Sequence, residues 1–213
     1  WDWKRLTQSV VDYDSPMVYS YSTHVYAEPA IDSAGRRMLE YRQRTGVDHR
    51  KYVVTIAPGE RTGESVVPDK AQLYEVLEVF GSGAAGFKIW YDIAMNGGKY
   101  YWMSEGIRMV APVEDILLDG EFAVERCDNP NTRIHSFRHD LGTVVFCAEY
   151  SLGAVTVDVP VPVPGAAAVY DLRSGEQIAS LKAGDRAFAL TIDEDRARLL
   201  FVGTQHQWEA LER

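Results

Sequence analysis

The sequence is poor in basic residues, and its Lys and Arg form no run. It has 22 Lys and Arg against 31 Asp and Glu, which gives a net charge of −9 and a pI of about 5.0. A surface that binds nucleic acid needs clustered Lys and Arg opposite the phosphates, so no nucleic acid partner is predicted. No apolar stretch approaches the about 18 residues of a membrane-spanning helix, and no membrane partner is predicted either.

Cysteine is also scarce. Cys127 and Cys147 are the only two, and they form no CxxC pair, which excludes a zinc site made of four Cys. Two separate buried thiols are favoured over a disulfide, because a disulfide needs an oxidising compartment and the spacing does not reveal one. His135 and His139 share one face of a predicted strand but have no third ligand nearby. The sequence therefore predicts no metal site and no cofactor.

Several enzyme signatures are missing. The sequence contains no GxSxG elbow and no phosphate-binding P-loop. Residues 81–86 have the spacing of GxGxxG, but they precede a predicted strand instead of opening a helix, so they are interpreted as a helix cap. The chain begins at Trp1 without an initiator Met or the pattern of a signal peptide. We expect it to continue a longer gene product.

The first half of the sequence alternates strand and helix patterns. Short apolar runs indicate strands, and apolar residues at intervals of three or four indicate helices. This order predicts parallel strands joined by right-handed crossovers. The predicted elements are a strand at 15–21, a helix at 30–45 capped by Gly46, a strand at 52–57, a helix at 68–80, a strand at 86–91, and a helix at 100–111 with Met103, Ile107 and Val110 facing inward.

The second half changes to short strands separated by turn residues, which is typical of an antiparallel sandwich. Prolines at alternate positions from 160 to 164 place that stretch at an edge or in a linker. The predicted fold class is therefore α/β over residues 1–118 and all-β over residues 119–213. The predicted strands are 122–126, 133–138, 143–150, 154–159, 167–171, 177–181, 187–192 and 198–202.

Four short motifs point to a known architecture. They are Ser15-Pro16-Met17-Val18-Tyr19, the run 55–60 that ends in a carboxylate, the run 83–91 that contains Trp90, and Val169-Tyr170-Asp171-Leu172 with residues 174–176 and 198–202. Together they resemble the C-terminal end of glycoside hydrolases that carry a small β-sandwich after a (β/α)8 barrel. The acidic run of chitinases is absent.

The resemblance implies that residues 1–118 are the last three βα units of a (β/α)8 (TIM) barrel and that residues 119–213 are an accessory sandwich. It also implies a carbohydrate substrate, and a secreted or extracytoplasmic location. Three units do not close a barrel of eight strands. We therefore expect the open edge to recruit either the missing N-terminal half of the barrel or a second copy of the chain. In an incomplete barrel, apolar side chains on the inner face are expected to lack half of the packing that would cover them. These are Val18, Val54, Ile56, Phe87 and Ile89.

The candidate catalytic residues follow from barrel geometry, because barrel enzymes carry their chemistry at the C-terminal ends of the strands. Glycoside hydrolysis needs two carboxyl groups. Glu60 follows a Pro-Gly bend, with Arg61 beside it to hold the carboxylate ionised, and Asp92 follows the third strand. The alternatives are a solvated loop glutamate for Glu60 and a turn or N-cap aspartate for Asp92. The second carboxylate of the pair is expected to lie upstream of Trp1.

The candidate substrate-binding residues are mainly aromatic, because aromatic rings stack on the apolar faces of sugars. For the tyrosines core packing is the alternative, and for His24 it is a surface loop. The alternative function for the whole chain is a non-catalytic scaffold or carbohydrate-binding protein. The candidates are Tyr19, Tyr21, His24, Arg61, Trp90 and Tyr91.

Overall fold

The computed structural model describes residues 28–46, 49–56, 68–89, 95–150 and 153–211. The chain divides into two compact units, Trp1–Ile107 and Arg108–Arg213. The boundary predicted from the sequence, between residues 118 and 119, stays a prediction. The strand predicted at 15–21 lies outside the described residues.

The first unit alternates helices and parallel strands, as the sequence predicts. β1 and β2 pair in parallel, with Val53 opposite Gly86 and Ile56 opposite Ile89. Each strand is followed by a helix, so the described elements have the order of successive βα units. The elements are α1 (Glu28–Thr45), a 3-10 turn (His49–Lys51), β1 (Val53–Ile56), α2 (Ala71–Gly81), β2 (Gly86–Ile89) and α3 (Gly97–Val110).

The end of α1 is fixed at three points. Gly46 takes the positive φ of 58° that ends many helices, and its N–H donates to the carbonyl of Arg42 at 2.8 Å. The Thr45 hydroxyl donates to the carbonyl of Tyr41 and shares a 2.7 Å hydrogen bond with the Tyr52 hydroxyl. Tyr52 immediately precedes β1, so these bonds attach the helix end to the start of the strand.

α2 is buried on nearly all sides, which the sequence pattern did not predict. Leu73 and Leu77 are buried as expected, but so are Gln72, Glu75 and Glu78. α2 packs against α1 and β2, and its Val76 and Val79 share a core cluster with Val54 and Ile56 of β1, so its polar residues lie inside the structure.

α3 packs with a different face from the one predicted. Met103 and Val110 are buried, but Ile107 is 45% exposed, so its predicted inward orientation is wrong. The buried row includes Gly106, where an added Cβ would lie 2.8 Å from Cβ of Val76. Gly106 allows α2 to approach α3 closely on this side, whereas Ile107 lies on another side of α3 and is exposed.

Of the two described strands in the first unit, only β2 has the predicted exposure of its apolar side chains. Val54 and Ile56 of β1 are buried, so the prediction that they lose half of their cover is wrong. They share a core cluster with Met38, Val79 and other apolar side chains. Phe87 and Ile89 of β2 are partly exposed, as predicted. Val18 lies outside the described residues.

The second unit consists mainly of antiparallel strands, and every strand predicted there is confirmed to within two residues at each end. One sheet has the order β3-β4-β5-β10-β7-β8, and β6 pairs with β9 in a second sheet. Apolar side chains from both sheets form one core cluster. The strands are β3 (Glu121–Glu125), β4 (Arg133–His139), β5 (Gly142–Ala148), β6 (Val155–Pro160), β7 (Ala167–Asp171), β8 (Gln177–Leu181), β9 (Ala187–Ile192) and β10 (Ala197–Gly203).

The alternate prolines lie at the edge, as the sequence indicates. β6 ends at Pro160 and pairs with β9 alone among the described strands. Beyond it, the N–H groups of Val161 and Val163 still donate to the carbonyls of Arg186 and Asp185. Proline has no N–H to donate, so it is tolerated at the positions whose N–H is not needed for this pairing.

Two short helices were not predicted, α4 (Glu114–Asp119) and α5 (Gln205–Leu211). Trp208 is on α5 and stacks on Tyr170 with ring centroids 4.4 Å apart. α5 begins with a capping box: Gln207 N–H donates to the Thr204 hydroxyl, and the Gln207 side chain accepts from Thr204 N–H. The Thr-x-x-Gln spacing is therefore a sequence signal that was overlooked.

Gly142 and Gly203 lie against the buried ring of Phe201, and we predict that a methyl group added at either position would not fit. An added Cβ at Gly142, where φ is +138°, would lie 2.4 Å from the ring, and one at Gly203 would lie 2.7 Å from it. Gly142→Ala and Gly203→Ala should each lower the free energy of unfolding by about 2 kcal/mol. Gly165→Ala is the control, because nothing lies within 4 Å of its added Cβ. Urea denaturation of the three variants decides, and equal midpoints would contradict the packing around Phe201.

Candidate functional site

All eight predicted site residues lie outside the described residues, so their roles stay predictions. They are Tyr19, Tyr21, His24, Glu60, Arg61, Trp90, Tyr91 and Asp92. The structure describes the framework that precedes two groups of these residues in the sequence, Glu60 with Arg61 and Trp90 with Tyr91 and Asp92. That framework consists of β1, β2 and the helices that follow them.

The C-terminal ends of β1 and β2 lie side by side. Ile56 is paired with Ile89 in the parallel ladder, so the chain leaves both strands at the same edge of the sheet. In βα units this edge carries the ligands and the reacting groups. The segments after Ile56 and Ile89 contain Glu60 and Trp90.

The starts of α2 and α3 are joined at this edge by a polar contact. The Asn96 amide donates to the carboxylate of Asp69 at 3.1 Å, and Asn96 Oδ1 accepts from the N–H of Lys99 at 2.8 Å. Asn96 is therefore the N-cap of α3. Asp69 lies against the same helix start, since an added Cβ at Gly98 would be 2.0 Å from its Oδ2. This carboxylate stabilises a helix N-terminus.

A second contact joins the start of α2 to α3. Lys70 Nζ lies 5.7 Å from the ring centroid of Trp102 on α3 and 5.8 Å from that of Tyr74 on α2. These are cation–π distances. None of Asp69, Lys70 and Trp102 was predicted from the sequence as a site residue, and Asn96 was interpreted only as part of a turn. The signal that identifies Asn96 is its position directly before a helical pattern.

A small cavity of about 10 Å³, with room for about one water molecule, lies between α1, β1 and α2. Apolar side chains and the two buried carboxyl groups Glu75 and Glu78 line it. Ligand pockets usually measure about 300–1,000 Å³, so this cavity is far too small to hold a ligand. This cavity lies between helices and sheet instead of at the strand ends, so it does not fit a sugar site.

The motif around Asp171 in the second unit forms a turn. Asp171 Oδ1 accepts from the N–H groups of Arg173 and Ser174 at 2.8 and 3.1 Å, and Gly175 has a positive φ of 76°. The other carboxylate oxygen accepts two hydrogen bonds from the guanidinium of Arg198 on β10. The carboxylate is thus fully engaged in holding the turn between β7 and β8 to the neighbouring strand.

The two histidines on β4 have separate surroundings. His135 is buried and lies edge-on to Phe122, with ring centroids 5.4 Å apart. His139 Nδ1 accepts from the N–H of Leu141 at 3.2 Å in the following turn. Among the described residues, no group of three His, Cys, Asp or Glu is arranged to hold a metal ion. Within the same ranges, every helix is too short or too polar to cross a lipid bilayer.

Three solved glycoside hydrolases are similar to this chain in fold. An α-amylase of Anoxybacillus has a TM-score of 0.56 at 8% identity, over 95% of this chain and 56% of its own. The α-amylase of Geobacillus thermoleovorans, solved with acarbose, has 0.54 at 13% identity, over 80% and 43%. A GH27 β-L-arabinopyranosidase of Geobacillus stearothermophilus has 0.50 at 11% identity, over 95% and 60%.

These comparisons confirm the resemblance to glycoside hydrolases at the level of the fold. The chain is a mixed α/β structure with several antiparallel sheet pairs, and it spans less than two thirds of each of the three neighbours. No protein-family model matches the sequence, and no curated protein matches it.

The two cysteines are free thiols, and we predict that they differ in reactivity. Complete burial raises the pKa of Cys147 far above its ordinary value; Arg198 opposes the rise and Cys127 adds to it. The thiolate is the reactive form of cysteine. A disulfide reagent at pH 8 should therefore modify Cys127 quickly in the native chain and Cys147 only after denaturation. Cys127→Ser should abolish the fast phase, and Cys147→Ser should retain it. Two fast phases in the native chain would contradict the burial of Cys147.

Proposed function

We propose that residues 1–118 are the last three βα units of a (β/α)8 barrel, that residues 119–213 are an antiparallel β-sandwich, and that the whole is part of a carbohydrate-active glycoside hydrolase. The observation that carries the proposal is the parallel pairing of β1 with β2 across α2, ahead of a region of antiparallel strands. The fold of the two α-amylases and the arabinopyranosidase supports it.

The proposed chemistry uses carboxyl groups at the edge where β1 and β2 end. Glu60 follows β1 and Asp92 follows β2, so both are close in sequence to that edge. One carboxyl group of a glycosidase protonates the leaving oxygen, and the other acts as the nucleophile or as the base that activates water. Arg61 next to Glu60 would favour its ionised form. A further carboxylate upstream of Trp1 would complete the pair if only one of these two reacts.

The proposed substrate is a pyranose-containing oligosaccharide. Tyr19, Tyr21, Trp90 and Tyr91 would stack on the sugar rings, with His24 and Arg61 as hydrogen-bond donors. The neighbours with this fold act on, or are named for, substrates of that class: α-amylases and a β-L-arabinopyranosidase.

A non-catalytic carbohydrate-binding or scaffold protein is the second candidate function. It is favoured by the state of Asp69, the carboxylate that the structure describes at the edge. Asp69 accepts from Asn96 and faces the start of α3. The Asp69 carboxylate therefore supports the fold and is not placed for proton transfer to a substrate. If Glu60 and Asp92 also serve the fold, the barrel is a scaffold.

Activity measurements on aryl glycosides and polysaccharides test the proposal, with the 213-residue chain and with the complete natural gene product that contains it. Glu60→Gln or Asp92→Asn should reduce kcat by about 10²–10⁴-fold, the usual contribution of a positioned acid or base. The melting temperature should stay near that of the wild type.

Asp69→Asn is the matched control at the same edge. It removes the charge that faces the α3 start, so it should lower stability by about 0.5–1 kcal/mol and leave kcat nearly unchanged. Wild-type turnover in both Glu60→Gln and Asp92→Asn would refute the assigned carboxylates. Absence of turnover in every form, together with oligosaccharide binding, would favour the second candidate function.

A further inference from the structure

The start of α3 presents aromatic rings to the solvent. Tyr100 is 51% exposed and Tyr101 is 56% exposed, and the half-buried Trp102 follows them directly. Among the described residues, Val124 is the only other large apolar side chain that is exposed by half or more. Single exposed apolar residues are ordinary, but adjoining ones mark a binding surface. We call Tyr100, Tyr101 and Trp102 the aromatic platform.

The aromatic platform is held in place without being covered. Tyr101 and Trp102 meet edge to face, with ring centroids 5.2 Å apart and an interplanar angle of 74°. Trp102 is also fixed from the side of α2, because Lys70 Nζ lies 5.7 Å from its ring centroid. The buried pair of Tyr170 and Trp208 is different, since those rings are parallel to within 2° and cover each other. The perpendicular pair leaves most of its ring surface available to a ligand.

The aromatic platform lies beside the edge where β1 and β2 end. α3 begins at Gly97, so Tyr101 lies about 6 Å along the helix from its start. That start is joined to the start of α2 through Asn96 and Asp69. Under the proposed function, the glycosidic bond is cleaved at the strand ends. A ligand on the platform would therefore be a part of the substrate remote from that bond.

The chemistry of the aromatic platform fits a neutral sugar chain. Aromatic rings stack on the apolar faces of pyranoses. The exposed hydroxyl of Ser104 donates to the carbonyl of Tyr101 at 2.7 Å and can still accept a hydrogen bond from a sugar hydroxyl. Consecutive helix residues point about 100° apart. Tyr100 and Tyr101 therefore do not stack on one pyranose and would contact successive units of a chain.

We propose that the aromatic platform is a remote subsite for an oligosaccharide chain, with Tyr100 and Tyr101 stacked on neighbouring pyranose units. The inference deepens the proposed function and rests on it for the class of substrate. It adds that the substrate is a chain of several sugars that extends beyond the cleaved bond. Only chains long enough to reach both the strand ends and the platform would gain affinity from it.

Isothermal titration of the 213-residue chain with maltoheptaose and with xylohexaose tests the subsite directly. The wild type should bind at least one of them, and Tyr101→Ala should weaken binding about tenfold, as expected for the loss of one ring contact. Tyr101→Phe keeps the ring and should retain most of the affinity. Tyr101→Leu keeps only apolar area and should lose as much as Tyr101→Ala. Ile178→Ala, at an exposed apolar position of the second unit, is the control and should bind like the wild type.

Kinetics of the complete natural gene product provide a second readout. In the double variant Tyr100→Ala with Tyr101→Ala, the ratio of kcat/KM on a polysaccharide to kcat/KM on an aryl glycoside should fall about tenfold, because only the polysaccharide reaches a remote subsite. The loss should lie in KM for the polysaccharide. The melting temperature should stay near that of the wild type, because both side chains are exposed.

Three results would overturn the proposal. The first is binding of neither glycan, or equal affinity in the wild type and Tyr101→Ala. The second is wild-type affinity in Tyr101→Leu, which would replace ring stacking by plain apolar contact. The third is protection of Tyr100 and Tyr101 from hydroxyl radicals in the gene product without any glycan, which would show that a protein segment covers the aromatic platform.

Failure of the subsite and failure of the proposed function give different results. Turnover of polysaccharide that is equal in the wild type and the double variant, without glycan binding by the 213-residue chain, would refute the subsite alone. Glycan binding that depends on the ring of Tyr101, without turnover in any form, would refute the glycosidase chemistry and retain the subsite.

Discussion

The parallel ladder of β1 and β2 is the constraint on which the first unit depends. Because Val53 pairs with Gly86 and Ile56 with Ile89, both strands end at one edge, and both following helices start there. The contact between Asp69 and Asn96 is a consequence of that arrangement. In the sequence, Glu60 follows the end of β1 and Asp92 follows the end of β2. A shift of the ladder by one residue would displace the end of one strand relative to the other and would separate the two helix starts.

The sequence predicts local elements well wherever local chemistry determines them. The strands of the second unit are bounded by glycines and aspartates, and their positions follow from that punctuation. The errors concern packing between distant segments. Nothing near Ile107 in the sequence indicates that α2 packs closely on α3 at Gly106, where Val76 lies. The burial of Glu78 also depends on neighbours that are far away in sequence. The Thr204 capping box is different, because its signal is local and was overlooked.

The candidate site is less predictable than the fold for a physical reason. A carboxylate after a strand has two common roles, proton transfer and helix capping, and both need the same residue type at the same place. Asp69 serves the second role indirectly, because it accepts a hydrogen bond from Asn96, the N-cap of α3. Asp171 shows a related role in the second unit, where a motif that resembles those of accessory sandwiches fixes a turn to Arg198. Such motifs therefore carry information about architecture, and they leave the chemistry open.

Identities of 8–13% together with TM-scores of 0.50–0.56 show which properties are shared with the neighbouring glycosidases. Backbone pairing and the order of elements are shared, because they depend on hydrophobic periodicity and on turn residues that many sequences satisfy. Reacting side chains depend on single positions, and a likeness of backbones does not transfer them. Under the proposed function, a sugar would be cleaved at the edge where β1 and β2 end. Whether Glu60 takes part in cleavage depends on the surroundings of its own carboxyl group. Comparison of kcat for Glu60→Gln with kcat for Asp69→Asn tests that role.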